Sequence, residues 1–345
     1  MKTAVLICPG RGTYNAAELG TLGRHFPDAE MLARFDARRA ALGQDTLSAL
    51  DGAARYSQAK HGRGDNAAGL IYAASLGDAL CLSDDFEIVA VTGNSMGWYT
   101  ALACAGAVSA DDGFDITTTM GRMMHDHGRG GQVLYPHMGD NWQVDTTAKQ
   151  RLLAQVAEIG SRPDHVLALS IDLGGMLVLA GNDAGLAVFE QAVPRRDRFP
   201  MRLQGHAGFH SVLVAPVSKT ALDHFSVELF CQPRIPMIDG RGQIWWPHAS
   251  DMTALRDYTF GHQIARPYDF ARAICVAARE FAPDLFIVTG PGTTLGGAVA
   301  QSLIAADWQG LTSKMDFQTC QETNPVLISM GRDDQRAFVV NRASS

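Results

Sequence analysis

The sequence predicts an α/β protein: a large lobe built on a parallel sheet covered by helices, with a smaller lobe inserted into it. Three observations predict it. Short apolar runs at 4–8, 88–91 and 285–288 each end in a glycine-rich turn. The second and third turns lead straight into helical patterns, WYTALACAGAV and TLGGAVAQSLIAA. Strands alternating with helices in this way make a parallel sheet covered on both faces.

The elements of the middle of the chain follow a different order. A strand at 131–135 precedes an amphipathic helix at 147–159; strands at 165–170 and 176–180 follow. A helix at 184–193 and a strand at 198–203 complete a β-α-β-β-α-β series, the order of a ferredoxin-like lobe. The expected insert spans 128–204, inside a catalytic lobe made of 1–127 and 205–310. Residues 311–345 read as a C-terminal extension without an assigned role.

With 345 residues the chain exceeds what one compact core usually holds, which leaves two lobes or one large α/β domain. Hydrophobic residues at 46% and charged residues at 19% describe a globular protein, too apolar for disorder. A net charge of -7 leaves no electrostatic footprint for nucleic acid or an anionic membrane. The opening MKTAVLICPGRG has too short an apolar run for a signal peptide. No segment reaches the ~20 apolar residues of a membrane span. Six single cysteines, without CxxC or zinc spacing, point to a reducing, cytoplasmic compartment and to no metal site. PGRG and TGPG are glycine-rich, but neither is a P-loop, and GxGxxG is absent at the strand–helix junctions.

The chemistry concentrates at Gly93-Asn94-Ser95-Met96-Gly97, a G-x-S-x-G element between a strand and a helix. Glycines two residues either side of a serine permit the sharp turn that holds its hydroxyl exposed at the strand end. The backbone N–H of Met96 then lies at a helix N-terminus, where it can stabilise an oxyanion. A simple βα turn with a serine cap would use the same residues. A serine hydroxyl needs a base. Among eleven histidines, His206 and His210 in GHAGFHSVLV, where the insert returns to the main lobe, are nearly equal candidates.

The chain resembles the malonyl-CoA:acyl-carrier-protein transacylase family, which includes the acyltransferase domains of fatty-acid and polyketide synthesis. The family's PGQGSQ corresponds to Pro9-Gly10-Arg11-Gly12-Thr13-Tyr14, and its GHSxGEYxAL to Gly93 through Leu102. Its FHSxLM corresponds to Phe209-His210-Ser211-Val212-Leu213-Val214, which selects His210. QLxxPV and GPGxxL correspond to Gln263 through Tyr268 and Gly290 through Leu295. The resemblance implies a Ser95–His210 dyad in a gorge between the lobes and a ping-pong reaction through acyl-Ser95. It implies a histidine oriented by a backbone carbonyl near Gln263, and an oxyanion held by the backbone N–H groups of Met96 and Arg11. Acyl-CoA and acyl carrier protein are then substrate and partner; coenzyme A or phosphopantetheine thioesters enter as substrates, with no resident cofactor.

The departures concern the acyl pocket. The family's carboxylate-clamping arginine falls here on Met120, and Arg122 lies two residues on, nearly opposite on a helix at ~100° per residue. Asn94 replaces the motif histidine, Trp98 the motif glutamate, and Asp172 an expected asparagine. Met120, Asn94, Trp98 and Arg122 are therefore the expected pocket residues, and loss of the clamp points to a non-malonyl acyl group. A thioester hydrolase of the same fold shares the dyad and differs only in what resolves the ester. A non-catalytic scaffold that binds carrier protein would have no reason to keep Ser95 and His210.

Overall fold

The computed structural model describes residues 1–341, so 342–345 of the expected C-terminal segment lie outside the described residues. In chain order its strands are β1 (Lys2–Cys8), β2 (Phe86–Gly93), β3 (Gly131–Pro136), β4 (Leu167–Leu173), β5 (Met176–Gly181) and β6 (Met201–Arg202). They continue as β7 (Met237–Ile238), β8 (Ile244–Trp245), β9 (Tyr268–Asp269), β10 (Leu285–Val288) and β11 (Leu327–Ser329). The large sheet runs β11–β10–β1–β2–β7–β8, parallel except for β8.

β1 lies within this sheet and is buried on both faces, which explains its unbroken apolar run. Side chains alternate across a strand. Ala4, Leu6 and Cys8 accordingly join the core under helices Gly64–Leu80 and Gly97–Cys104. Val5 and Ile7 join the opposite core, under helices Phe270–Phe281 and Gly296–Ala305.

Helix Gly64–Leu80 is apolar nearly all round and buried along most of its length, as a central core helix must be. It meets helix Ala110–His127 at a close crossing. A Cβ on Gly64 would stand 2.1 Å from the Gly121 carbonyl oxygen, so only glycine allows the approach. That contact fixes the rotation of helix Ala110–His127 about its axis, and with it the direction in which Met120 points.

The small lobe has the strand order β6–β3–β5–β4, antiparallel throughout, with helices Thr146–Gly160 and Asp183–Ala192 packed on one face. This is the ferredoxin-like arrangement, and all six of its expected elements are present. A fifth strand, β9, comes from the segment after the insert and pairs in parallel with β4. β4 also carries a bulge at Ser170, whose hydroxyl donates to the Phe209 carbonyl at 2.8 Å. Both contacts anchor the small lobe to the segments that bear His210 and Gln263.

The segment 311–345, expected as an extension, is built into the large lobe over its described part. β11 extends the sheet beside β10. Arg336 forms a buried ion pair with Asp78, whose other oxygen accepts the Gly290 N–H at 2.6 Å. Burial raises the Asp78 pKa despite that partner. Removing one member of a buried pair leaves an uncompensated charge and typically costs ~3–5 kcal/mol. Arg336→Ala should lose about that much stability in urea unfolding, and Asp78→Asn/Arg336→Met should regain most of it. A loss under ~1 kcal/mol in the single variant would mean that the pair does not anchor this segment.

Candidate active site

The PGRG turn after β1 and the GNSMG turn after β2 lie side by side at the carboxyl ends of their strands, where ligands bind in sheets of this kind. The Asn94 N–H donates to the Cys8 carbonyl at 2.9 Å, and Gln263 Nε2 donates to the Ser95 carbonyl at 2.9 Å. The two elbow glycines serve packing. A Cβ on Gly97 would come within 2.1 Å of the Cys8 oxygen, and one on Gly93 within 2.3 Å of Gly97. With the chain pressed together in this way, Ser95 sits at φ 56°, a left-handed conformation that is costly for a non-glycine residue. Its side chain is thereby lifted off the strand and over the end of the sheet.

His210 also has φ 56° and is held by its own N–H to the Ile264 carbonyl at 3.0 Å. Its Nδ1 lies 2.6 Å from the Gln263 carbonyl oxygen and its Nε2 lies 2.7 Å from Ser95 Oγ. A carbonyl only accepts, so Nδ1 carries the proton and Nε2 is free to accept the serine O–H. Burial pulls the His210 pKa down to about 4, and the Gln263 carbonyl opposes that by favouring the imidazolium. Gln263 is itself clamped: Tyr99 Oη donates to its Oε1 at 3.2 Å. Five residues of π-helical backbone, Tyr258–His262, set its position just before it in sequence.

His206, the rival candidate, is employed elsewhere. It donates from Nδ1 to Gln132 Oε1 at 2.8 Å, and Gln132 in turn bonds Ser170. Burial, reinforced by the charge of Arg11, lowers its pKa to about 3. Its place is in the seam between the lobes.

Ser95 and His210 open into a small cavity of about 50 Å³, also lined by Arg11, Met96, Tyr99, Met120, Gly121, Met124, Phe209, Gln263 and Ile264. The backbone N–H groups of Met96 and Arg11 have no hydrogen-bond partner among the described residues. Of the four expected pocket residues, only Met120 lines this cavity. Arg122 is exposed, on the other side of its helix. Trp98 is a correction: it is fully buried away from the cavity, edge-on to Tyr258, with its indole N–H on Thr259 Oγ1 at 3.0 Å. Asn94 is another, because its backbone is used in the turn; its buried Oδ1 has no partner among the described residues. Asp172 pairs with Lys149 in the small lobe, outside the cavity.

Sequence reasoning missed Tyr99, Met124 and Phe209. Helical spacing could have found two of them, since Tyr99 is four residues after Ser95 and Met124 four after Met120.

No family model matches the chain. The malonyl CoA-acyl carrier protein transacylase of Salmonella typhimurium is 24% identical over 219 residues, which cover 60% of this chain and 63% of that protein. The chain thus spans somewhat less than two thirds of that relative's length. Among solved structures, the malonyl-CoA:acyl carrier protein transacylase of Xanthomonas oryzae superposes with a TM-score of 0.76 at 17% identity, over 99% of both chains. This chain has the malonyl-CoA:acyl-carrier-protein transacylase fold. A malonyl-transacylase solved in complex with a type II polyketide acyl-carrier protein also matches the transacylase-fold chain, with a TM-score of 0.68 at 18% identity over 88% of it and 93% of the solved chain.

Proposed function

We propose that this chain is an acyltransferase that moves an acyl group from a coenzyme A or carrier-protein thioester, through an ester on Ser95, to an acyl carrier protein. The observation that carries this reading is the line from Ser95 Oγ to His210 Nε2 at 2.7 Å and from His210 Nδ1 to the Gln263 carbonyl at 2.6 Å. A serine so paired is an activated nucleophile.

In the first half-reaction Ser95 Oγ attacks the thioester carbonyl carbon while its proton passes to His210 Nε2. The unpartnered N–H groups of Met96 and Arg11 are suited to the oxygen that gains negative charge. Collapse breaks the C–S bond, and the leaving thiolate takes the proton back from His210. In the second half-reaction a phosphopantetheine thiol gives its proton to His210 and attacks the ester carbonyl; collapse breaks the bond to Ser95 Oγ, which takes the proton back from His210. No resident cofactor enters this scheme. The solved complex of a related fold with its acyl-carrier protein supports a carrier protein as acceptor. Six free cysteines support a reducing, cytoplasmic setting. Met120, Met124 and Ile264 give the cavity an apolar lining against which an acyl chain can pack.

The test is incubation with a panel of acyl-CoAs followed by intact mass measurement, then addition of a holo carrier protein. An adduct on Ser95 that the carrier thiol removes much faster than water is the expected result. An adduct lost equally fast without carrier would make the protein a hydrolase, and no adduct with any thioester would sink the reading.

A further inference from the structure

Arg11 is the one cationic side chain among the described residues lining the cavity. Its Nη2 donates to two backbone carbonyls, Gly62 at 3.1 Å and Gly205 at 3.3 Å, and its guanidinium lies 5.8 Å from the centre of the Phe209 ring. Nε and Nη1 have no partner among the described residues, and no carboxylate pairs with the group. Asp65 is the acid that contributes most to its electrostatics, but that carboxylate is engaged by Arg63 at 3.2 Å and by the Asn66 N–H. A guanidinium held by neutral carbonyls keeps its charge uncompensated while losing much of its water. Burial lowers its pKa to about 10, which leaves it fully charged at neutral pH.

Such a group is built to receive an anion, and arginine prefers a planar, two-oxygen partner. Two anionic groups belong to the proposed substrates, a carboxylate on the acyl chain and the phosphates of the pantetheine carrier. The phosphates stand a whole pantetheine arm from the sulfur. Gly10 lies against the elbow, where a Cβ would be 3.5 Å from Ser95 Cβ. Arg11 is the next residue; it borders both the cavity of Ser95 and a neighbouring one lined by Tyr56, Gly62 and His206, and its guanidinium lies beside Phe209, which lines the Ser95 cavity. An anion that reaches it from Ser95 is the end of a short acyl group.

We infer that Arg11 is a specificity-determining residue whose guanidinium holds the terminal carboxylate of a short carboxyacyl group. This rests on the acyl-Ser95 reading above and names its substrate class. It also reverses the expectation of an uncharged acyl group, which rested on Met120 and treated Arg11 only as a backbone donor. The cation is present in the cavity but comes from the loop after β1, not from helix Ala110–His127.

The experiment is competition between malonyl-CoA and acetyl-CoA for loading of the full chain, read as the ratio of the two adduct masses. The wild type should favour the malonyl adduct. Arg11→Met should lower the malonyl-to-acetyl ratio about ten- to a hundred-fold, the range for loss of a charge-assisted pair. Arg11→Lys should recover part of that ratio. Wild-type preference for acetyl-CoA overturns the inference, even if Arg11→Met fails to fold. An unchanged ratio in a folded Arg11→Met does so too. Absence of both adducts would instead remove the acyl-Ser95 reading, and the inference with it.

Discussion

Ser95→Ala should leave no acyl adduct on the protein with any thioester and should lower transfer by on the order of 10⁴-fold or more. Losing a covalent nucleophile removes the whole two-step route, and what remains is positioning and oxyanion stabilisation. The fold should persist. Alanine at 95 keeps the same left-handed backbone and the same carbonyl contact to Gln263; only the hydroxyl bond to His210 is lost, worth ~1 kcal/mol. The measurement is intact mass after incubation with acyl-CoA, beside a thermal unfolding curve. A persisting adduct in a folded Ser95→Ala protein would place the ester on another residue.

How much of this was legible in the sequence depends on which residues are asked about. The elbow could be read because its glycines are required by contacts within a few residues and with the adjacent strand: Gly97 against the Cys8 carbonyl, Gly93 against Gly97. The insert could be read because its strands and helices have clean periodicities and its sheet closes locally. The end of the chain could not. β11 is three residues long, and the pair that holds the segment joins Arg336 to Asp78 across more than two hundred residues of sequence. The pocket was legible only where helix geometry decided it. Met120 and Arg122 had to face apart, and they do. Trp98 and Asn94 stand next to the nucleophile in sequence, yet packing turns Trp98 into the core and the turn consumes the Asn94 backbone. Adjacency in sequence is a poor guide to the cavity, because an elbow sends consecutive side chains in different directions. Arg11 illustrates the converse: its backbone role followed from a motif, while the destination of its side chain depended on Gly62 and Gly205, far along the chain.

The second large effect concerns His210. His210→Ala should reduce acyl loading nearly as much as Ser95→Ala, and the double variant should be little worse than either, because dyad members act as a unit. His206→Ala should cost far less activity, since that ring is bonded to Gln132 and not to Ser95. The pH profile of the wild type gives a separate test. Burial holds the His210 pKa at about 4, below the usual histidine value near 6.5. A lowered pKa means that the neutral ring, which is the base, persists as pH falls through 6.5 and is lost only on approach to 4. The acid limb of kcat/KM for loading should therefore lie near pH 4 to 5, because kcat/KM reports the free enzyme. Such a weak base is compensated by the Gln263 carbonyl, which stabilises the imidazolium at the moment it forms. The same shift sets the stability contribution of this residue. The unfolded chain binds the proton more readily, so the contribution is complete above pH 6.5 and is lost as pH falls from there through 4. Loading measured from pH 3.5 to 8 on the folded protein decides the matter. An acid limb centred near 6.5 would mean that the working base is a solvated histidine, and His210 would lose its assignment.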